Sequence, residues 1–236
     1  NNYPKSTELL ESGYCIFLNA NNVLQNEFYF KNNNYITKEK DNLLRSGKLN
    51  KYDIVFTTRG TIGNTAYFND FVSYKNIRIN SGMIILRIIS KSIIQEYFVT
   101  LLNTNYFKNF VKSIISGSVI NQLPIVDFKE IPIPIFSQSF QSKIADLVNS
   151  AYTLRQSADT LYKEAEDILL EELNLKNYQL QNKKCFIKML SDTKNAGRFD
   201  AEYFQPKYED IVKKIKNYGN GYYCLEDKDI NAKNFT

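Results

Sequence analysis

The sequence predicts an α+β protein, in which a mixed domain of short strands and helices is joined to one long coiled-coil helix. Residues 14–89 hold short runs of β-branched and aromatic residues between Asn- and Gly-containing turns, which indicates strands. Residues 92–115 space their apolar side chains as core helices do. Residues 140–175 contain no Gly and no Pro and repeat apolar residues in steps of four and three, which is typical of a coiled coil.

The amino-acid composition limits the catalytic chemistry that the chain can perform and the cellular compartment that it suits. The chain has no histidine, which excludes His-based acid–base catalysis, Ser–His triads and most zinc sites. We expect no cofactor and no metal. No apolar run reaches the roughly 18 residues of a membrane span, and the first residues lack a secretory signal. Three scattered cysteines suit a reducing compartment, so we expect a cytoplasmic protein without membrane contact.

Charge is unevenly distributed along the 236 residues. We divide them into a mixed domain (1–136), a long helix (137–175) and a C-terminal segment (176–236). The mixed domain carries the whole net charge of +5, and the rest of the chain is neutral overall. A surplus of this size is common in proteins that never meet nucleic acid, so it does not define a function by itself.

The first elements follow from turn and cap residues. Residues 14–30 predict two short strands around an Asn-rich turn. Residues 37–44 predict a short helix with Thr37 as its N-cap, ended by Gly47.

Residues 52–68 predict a β-hairpin whose tip is framed by Gly60 and Gly63. These glycines permit a positive φ or a close backbone approach. The tip lacks the lysine of a phosphate-binding P-loop and a strand follows it, so we reject that interpretation. Polar side chains exposed at the tip are expected on Thr58, Arg59, Thr61 and Asn64.

The next segments complete the mixed domain. Residues 77–89 predict one buried strand, which begins among the polar residues Lys75, Asn76, Arg78 and Asn80. Core helices are predicted at 92–102 and 105–115. Residues 116–124 predict a polar turn, and two prolines make residues 128–135 an extended edge segment.

The long helix carries a heptad seam. An unbroken helix of about 35 residues would be about 50 Å long. An amphipathic helix lying on a globular domain is the alternative, but such a helix normally shows a wider apolar stripe. A coiled coil needs a partner, and no other segment offers a matching length. The residues expected at this partner interface are Ile144, Leu147, Ala151, Leu154, Ala158, Leu161, Ala165 and Ile168.

The C-terminal segment predicts little independent structure. We expect a linker at 177–184, a short basic helix at 207–217 and the start of a strand at 222–225. The segment is too short to form a sound core of its own.

Four motifs, in their order along the chain, resemble the DNA-specificity (S) subunits of type I restriction–modification systems. They are the YDIVFTTRGTIGNTAYF hairpin, the SGSVINQLP turn, the IPIPI segment that enters the long helix, and the RFDAEYFQPKY opening of a target recognition domain. The match spans essentially the whole chain. The resemblance implies a non-catalytic protein that binds double-stranded DNA and docks a methyltransferase (modification) subunit and, through it, the restriction subunit.

The chain departs from the usual plan of that family. Family subunits usually carry two target recognition domains separated by helices that pair antiparallel, and each domain reads half of a bipartite site. Here one nearly complete recognition domain and one spacer helix precede only the opening of a second domain. The chain therefore resembles one repeat, circularly shifted, and a truncated or recombined gene is equally compatible. We expect a second copy to cover the seam, giving a homodimer.

Sequence-specific DNA binding without catalysis is the leading functional hypothesis. Side chains that reach base edges carry specificity, and basic residues position the DNA backbone. One alternative is a coiled-coil scaffold that binds no nucleic acid. Another is a methyltransferase or nuclease, for which the sequence lacks the adenosylmethionine loop, the Asp/Asn-Pro-Pro-Tyr/Phe motif and a convincing carboxylate–lysine cluster. The residues expected to contact DNA are Thr58, Arg59, Gly60, Thr61, Asn64, Lys75, Asn76, Arg78, Asn80, Ser118, Asn121 and Gln122.

Overall fold

The computed structural model describes residues 3–115, 122–179, 184–225 and 227. The chain divides into two compact units, residues 1–154 and residues 155–236. Short strands and helices together with one long helix confirm the α+β prediction, while the three-part domain division stays a prediction. The strands are β1 (Cys15–Leu18), β2 (Val23–Leu24), β3 (Glu27–Phe28), β4 (Tyr35–Ile36), β5 (Ile54–Thr57), β6 (Thr65–Tyr67), β7 (Ile77–Ile79) and β8 (Met83–Leu86). The helices are α1 (Lys38–Leu43), α2 (Gln95–Asn103), α3 (Asn105–Ile114), α4 (Ile125–Lys129), α5 (Gln138–Glu172), α6 (Leu190–Ala196) and α7 (Pro206–Lys216).

Two three-stranded sheets organise the first unit. One has the order β4-β1-β7, with β1 antiparallel to β4 and parallel to β7. The other has the order β6-β5-β8 and is antiparallel throughout. Strands β2 and β3 form a small separate hairpin.

Strand β5 is buried on both of its faces. Val55 packs into one core with Ile16 and Ile77 of the other sheet. Ile54 and Phe56 point to the opposite face and pack into a second core with residues of α2 and α3. Because successive side chains of a strand alternate between faces, a strand between two cores needs an unbroken apolar run. The sequence IVF meets that requirement.

The predicted single strand at 77–89 is wrong. It is two strands, β7 and β8, which lie in different sheets. Between them the side-chain Oδ1 of Asn80 accepts a hydrogen bond from the backbone N–H of Gly82 at 2.9 Å. An Asn side chain that bonds the backbone two residues ahead favours a turn over a continuous ladder.

The predicted helices of the mixed domain are confirmed as α1, α2 and α3. At the start of α1, the hydroxyl of Thr37 accepts a hydrogen bond from the backbone N–H of Lys40 at 3.2 Å, as an N-cap residue does. The extended segment at 128–135 is wrong in its first part, because Phe128 and Lys129 complete α4. Residues 131–137 have no regular secondary structure and pair with no strand in the described part of the chain.

The second unit contains the end of α5 and two further helices. The basic helix predicted at 207–217 is confirmed as α7, whereas α6 was not predicted. Residues 222–225 form no strand among the described residues, so that prediction is wrong. Part of the predicted linker, residues 180–183, lies outside the described residues.

A buried ion pair fixes α1 to strand β7. Asp41 is 1% exposed and accepts a hydrogen bond from the Nε of Arg78, while Lys48 Nζ lies 2.8 Å from its other oxygen. Burial alone would raise the pKa of Asp41, but the hydrogen bonds from Lys48 and Arg78 outweigh it and lower that pKa. Cys15 is buried nearby, and burial followed by the charge of Asp41 raises the pKa of its thiol to about 12.

The first turns of α5 are held on the first unit by one buried amide. The side chain of Gln141 is fully buried, and its Nε2 donates to the carbonyl oxygens of Ser92 and Phe136 at 2.9 and 2.8 Å. Its Oε1 accepts from the backbone N–H of Ile94 at 2.8 Å. Further along the helix, the ring of Tyr152 stacks on Phe71 with centroids 5.3 Å apart. No helix in the described part of the chain is long and apolar enough to span a membrane.

Replacing Gln141 with Leu should lower the free energy of unfolding by at least about 2 kcal/mol, because the N–H of Ile94 and the carbonyl of Phe136 lose their side-chain partner. The carbonyl of Ser92 keeps a hydrogen bond from Gln138. Chemical denaturation followed by circular dichroism measures this change. Gln156→Leu makes the same chemical substitution at an exposed position of α5 and should leave the midpoint nearly unchanged. Equal midpoints for the two variants would show that the Gln141 contacts do not stabilise the fold.

Candidate nucleic-acid interface

The predicted hairpin is formed by β5 and β6, with residues 58–64 as its tip. Gly60 and Gly63 have φ angles of +71° and +94°, which L side chains rarely adopt. The hydroxyl of Thr57 closes the tip, since it donates to the carbonyl of Thr61 and accepts from the backbone N–H of Asn64. The glycines and Thr57 therefore set the shape of the tip.

Backbone hydrogen bonds join the hairpin tip to two other loops. The carbonyl oxygen of Gly82 accepts from the N–H groups of Thr58 and Arg59 at 2.8 and 3.2 Å. Arg59 also forms an isolated antiparallel bridge with Gln122. The exposed residues Arg59, Ser81 and Gln122 are thereby brought together from three distant parts of the chain.

Helix α3 adds a basic residue beside the tip. A Cβ placed on Gly63 would lie 3.8 Å from Cγ of Lys108, so the Lys108 side chain lies beside the tip. The ammonium of Lys108 donates to Oε1 of Gln25 at 3.1 Å. Burial, followed by the nearby charge of Lys112, lowers the pKa of Lys108. We refer to Arg59, Thr61, Ser81, Lys108 and Gln122 as the tip surface.

Sequence reasoning missed Lys108 and Ser81. The helix at 105–114 was interpreted as a core helix only, although Lys108 and Lys112 stand four residues apart and so share one face. Buried Phe107 and Val111 occupy the neighbouring face of the same helix. The basic face formed by Lys108 and Lys112 was the sequence signal that could have identified Lys108 as a surface residue near the site.

Three residues that were predicted to contact DNA instead use their backbone or side chain in hydrogen bonds that hold the tip in place. Thr58 is only 4% exposed, and its carbonyl accepts from the backbone N–H of Leu123. The side-chain amide of Asn64 donates to the carbonyl of Val23 at 2.9 Å. The side chain of Asn80 caps its own turn, as described above. These three residues position the backbone on which the tip surface stands.

The prediction that Arg78 contacts DNA is wrong, and other residues predicted to contact DNA lie away from the hairpin tip. The Arg78 guanidinium is buried and committed to Asp41 and to the carbonyl of Ser46, so it cannot reach a ligand. Lys75 and Asn76 precede β7, whereas Asn80 follows it. At about 3.3 Å per residue, Asn76 and Asn80 are about 13 Å apart along the strand. Ser118 and Asn121 lie outside the described residues.

The tip surface suits the binding of an anion that also carries hydrogen-bonding groups. It presents a guanidinium, an ammonium group, two hydroxyls and an amide, and it includes no carboxylate. Among the described residues, no group of three or more His, Cys, Asp or Glu could hold a metal ion. The tip surface can therefore recognise such an anion through its positive charge and its hydrogen-bonding groups.

Residues 1–166 match the family model described as the type I restriction modification DNA specificity domain. This match covers the mixed domain, the tip surface and more than half of α5. The chain belongs to that family. No curated protein sequence matches the chain.

Two solved structures are similar to part of this chain. One comes from work on the structural basis of complex assembly and conformational transition of the type I R-M system. It has 14% identity to this chain, covers 72% of it and gives a TM-score of 0.42. Another is the type I restriction–modification S subunit from M. genitalium, with 22% identity, 74% of this chain covered and a TM-score of 0.45. This chain spans 41% and 40% of those two chains.

Proposed function

We propose that the chain is a sequence-specific DNA-binding subunit that directs a type I restriction–modification enzyme to its target and performs no catalysis itself. Membership of the DNA specificity domain family supports this proposal. The structural observation that carries it is Arg59, which is exposed at a tip whose backbone is fixed on both sides. No described residue accepts a hydrogen bond from the Arg59 side chain, so its guanidinium N–H groups remain available for a ligand.

The tip surface contains the residue types that distinguish bases. An arginine donates two hydrogen bonds to the major-groove edge of guanine, and a glutamine side chain forms two with adenine. Arg59 and Gln122 stand side by side and provide both groups. Lys108 lies at the edge of the tip surface, where it is suited to a phosphate. In this proposal Arg59 and Gln122 specify bases and Lys108 positions the duplex.

The proposed subunit works in an assembly. Its proposed partners are double-stranded DNA, a methyltransferase subunit and, through that subunit, the restriction subunit, in the cytoplasm. Cys15, Cys185 and Cys224 form no disulfide, which is compatible with a reducing compartment.

The seam of α5 is the proposed homodimer interface. Leu147, Leu154, Leu161 and Ile168 are between 63 and 70% exposed in the single chain. Apolar rows of this length are usually covered by a partner. A second copy related by a twofold axis would pair the two helices antiparallel, with Leu154 and Ala158 near the axis.

Arg59→Ala should weaken binding to a selected specific duplex by about 1–3 kcal/mol, because a bidentate base contact is lost. Arg59→Lys should recover little of this loss, since an ammonium group keeps the charge but not the planar fork. Binding is measured by fluorescence anisotropy on the selected duplex and on random duplex, across a salt series.

The matched control is Lys91→Ala. Lys91 is exposed and follows β8 at the end of the sheet away from the tip, because Leu86 pairs with Ile54 and Met83 with Thr57. It should leave specific binding unchanged. Equal weakening on both duplexes would assign Arg59 to phosphate contact alone. Unchanged affinity in Arg59→Ala would remove the hairpin tip from the DNA site, and absence of any DNA binding by the natural chain would favour the scaffold hypothesis.

Leu154→Asp should convert a dimer into a monomer, because it would place two unpaired carboxylates together in the helix interface at a cost of several kcal/mol. Sedimentation equilibrium at micromolar concentration measures the mass. Gln156→Asp adds the same charge two residues away, off the seam, and should remain dimeric. A natural chain that sediments as a monomer would contradict the proposed homodimer.

A further inference from the structure

A cleft of about 500 Å³ opens at the base of the hairpin, at the opposite end from the tip surface. Tyr67 pairs with Ile54 at this end of the sheet, whereas Thr65 pairs with Phe56 next to the tip. The residues that line the cleft are Tyr52, Tyr67, Asn69, Asp70, Phe71, Gln95, Glu96 and Asn149. Its lining combines negative charge with aromatic surface.

Asn69 leaves an unused hydrogen-bond donor at this cleft. The residue is 4% exposed, and its Oδ1 accepts from the backbone N–H of Phe71 at 3.1 Å, which fixes the orientation of the amide. Its Nδ2 has no acceptor among the described residues. A buried donor without a partner costs about 1–3 kcal/mol, and because Nδ2 itself has almost no exposed surface, it leaves this wall of the cleft incompletely hydrogen-bonded.

Glu96 leaves an uncompensated negative charge in the same cleft. Its carboxylate accepts from the hydroxyl of Tyr67 at 3.5 Å, and no lysine or arginine pairs with it in the described part of the chain. It lies in the first turn of α2, which supplies no cationic partner. Asp70 differs, because Lys51 lies 3.3 Å from it. Burial, followed by the charge of Glu96, raises the pKa of Tyr67, so that hydroxyl stays a donor at neutral pH.

We propose that this cleft binds an arginine side chain presented by a partner polypeptide. The Glu96 carboxylate would pair with the guanidinium, and the rings of Tyr52 and Tyr67 would lie against its flat face. The negative charge disfavours phosphate and favours a cation, and the guanidinium of a protein segment combines that charge with a flat face for the two rings. The site is therefore separate from the tip surface. The inference goes beyond the proposed DNA function and does not depend on it.

The test uses the ¹⁵N-labelled full chain titrated with the peptide acetyl-Gly-Arg-Gly-amide, followed by the NMR signals of the Asn69 side-chain amide. We expect saturable shifts of these signals at peptide concentrations up to about 10 mM, which corresponds to weak but specific binding. The same peptide with citrulline in place of arginine keeps the shape and loses the charge, and it should not shift them. Glu96→Gln should weaken arginine peptide binding by about tenfold or more, whereas the exposed control Glu11→Gln should not.

Three outcomes would overturn the proposal. Equal shifts with the arginine and citrulline peptides would show that charge is not recognised. Shifts produced by magnesium chloride but not by the arginine peptide would make the cleft a metal site. Unshifted Asn69 signals over the whole titration, in a chain whose spectrum shows it folded, would show that the cleft binds no arginine. None of these results bears on DNA binding, which the Arg59 variants test separately.

Discussion

The carbonyl oxygen of Gly82 is the acceptor on which the proposed DNA surface depends. It receives the N–H groups of both Thr58 and Arg59, and so it joins the hairpin tip to the turn between two sheets. A Cβ at position 82 would lie 3.2 Å from Oδ1 of Asn80 and 3.7 Å from Cβ of Arg59, which leaves little room for a side chain. The backbone at Arg59 is thus held in place by these hydrogen bonds, so less backbone entropy is lost when the tip binds a ligand.

Strand β5 gives the two ends of the hairpin separate roles. Its side chains are buried on both faces, one in each core, so the strand cannot shift in register without exposing apolar groups. Its C-terminal end leads into the basic tip surface, and its N-terminal end leads to the acidic cleft with Tyr52. The two proposed sites thus lie at opposite ends of one strand that is fixed in register.

Local rules predicted the hairpin and the Thr37 cap and allowed a positive φ at Gly60 and Gly63, because each depends on residues that are close in sequence. They failed for Arg78, since an arginine beside a strand looks the same whether it meets DNA or Asp41, which is 37 residues away. They also failed for the Asn80 turn, where apolar residues on both sides resembled one strand. The cleft at Asn69 and Glu96 could not be predicted, because its residues meet only through tertiary packing.

The central claim is that the fixed tip surface reads DNA bases, in two copies held by the α5 seam. Selection of duplexes from a random DNA pool by the purified natural chain tests this claim most directly. The account predicts enrichment of one short sequence repeated in inverted orientation at a fixed spacing, because two identical tip surfaces would be related by a twofold axis. A bound pool whose sequences remain random would contradict the account, since binding would then rest on phosphate contacts alone.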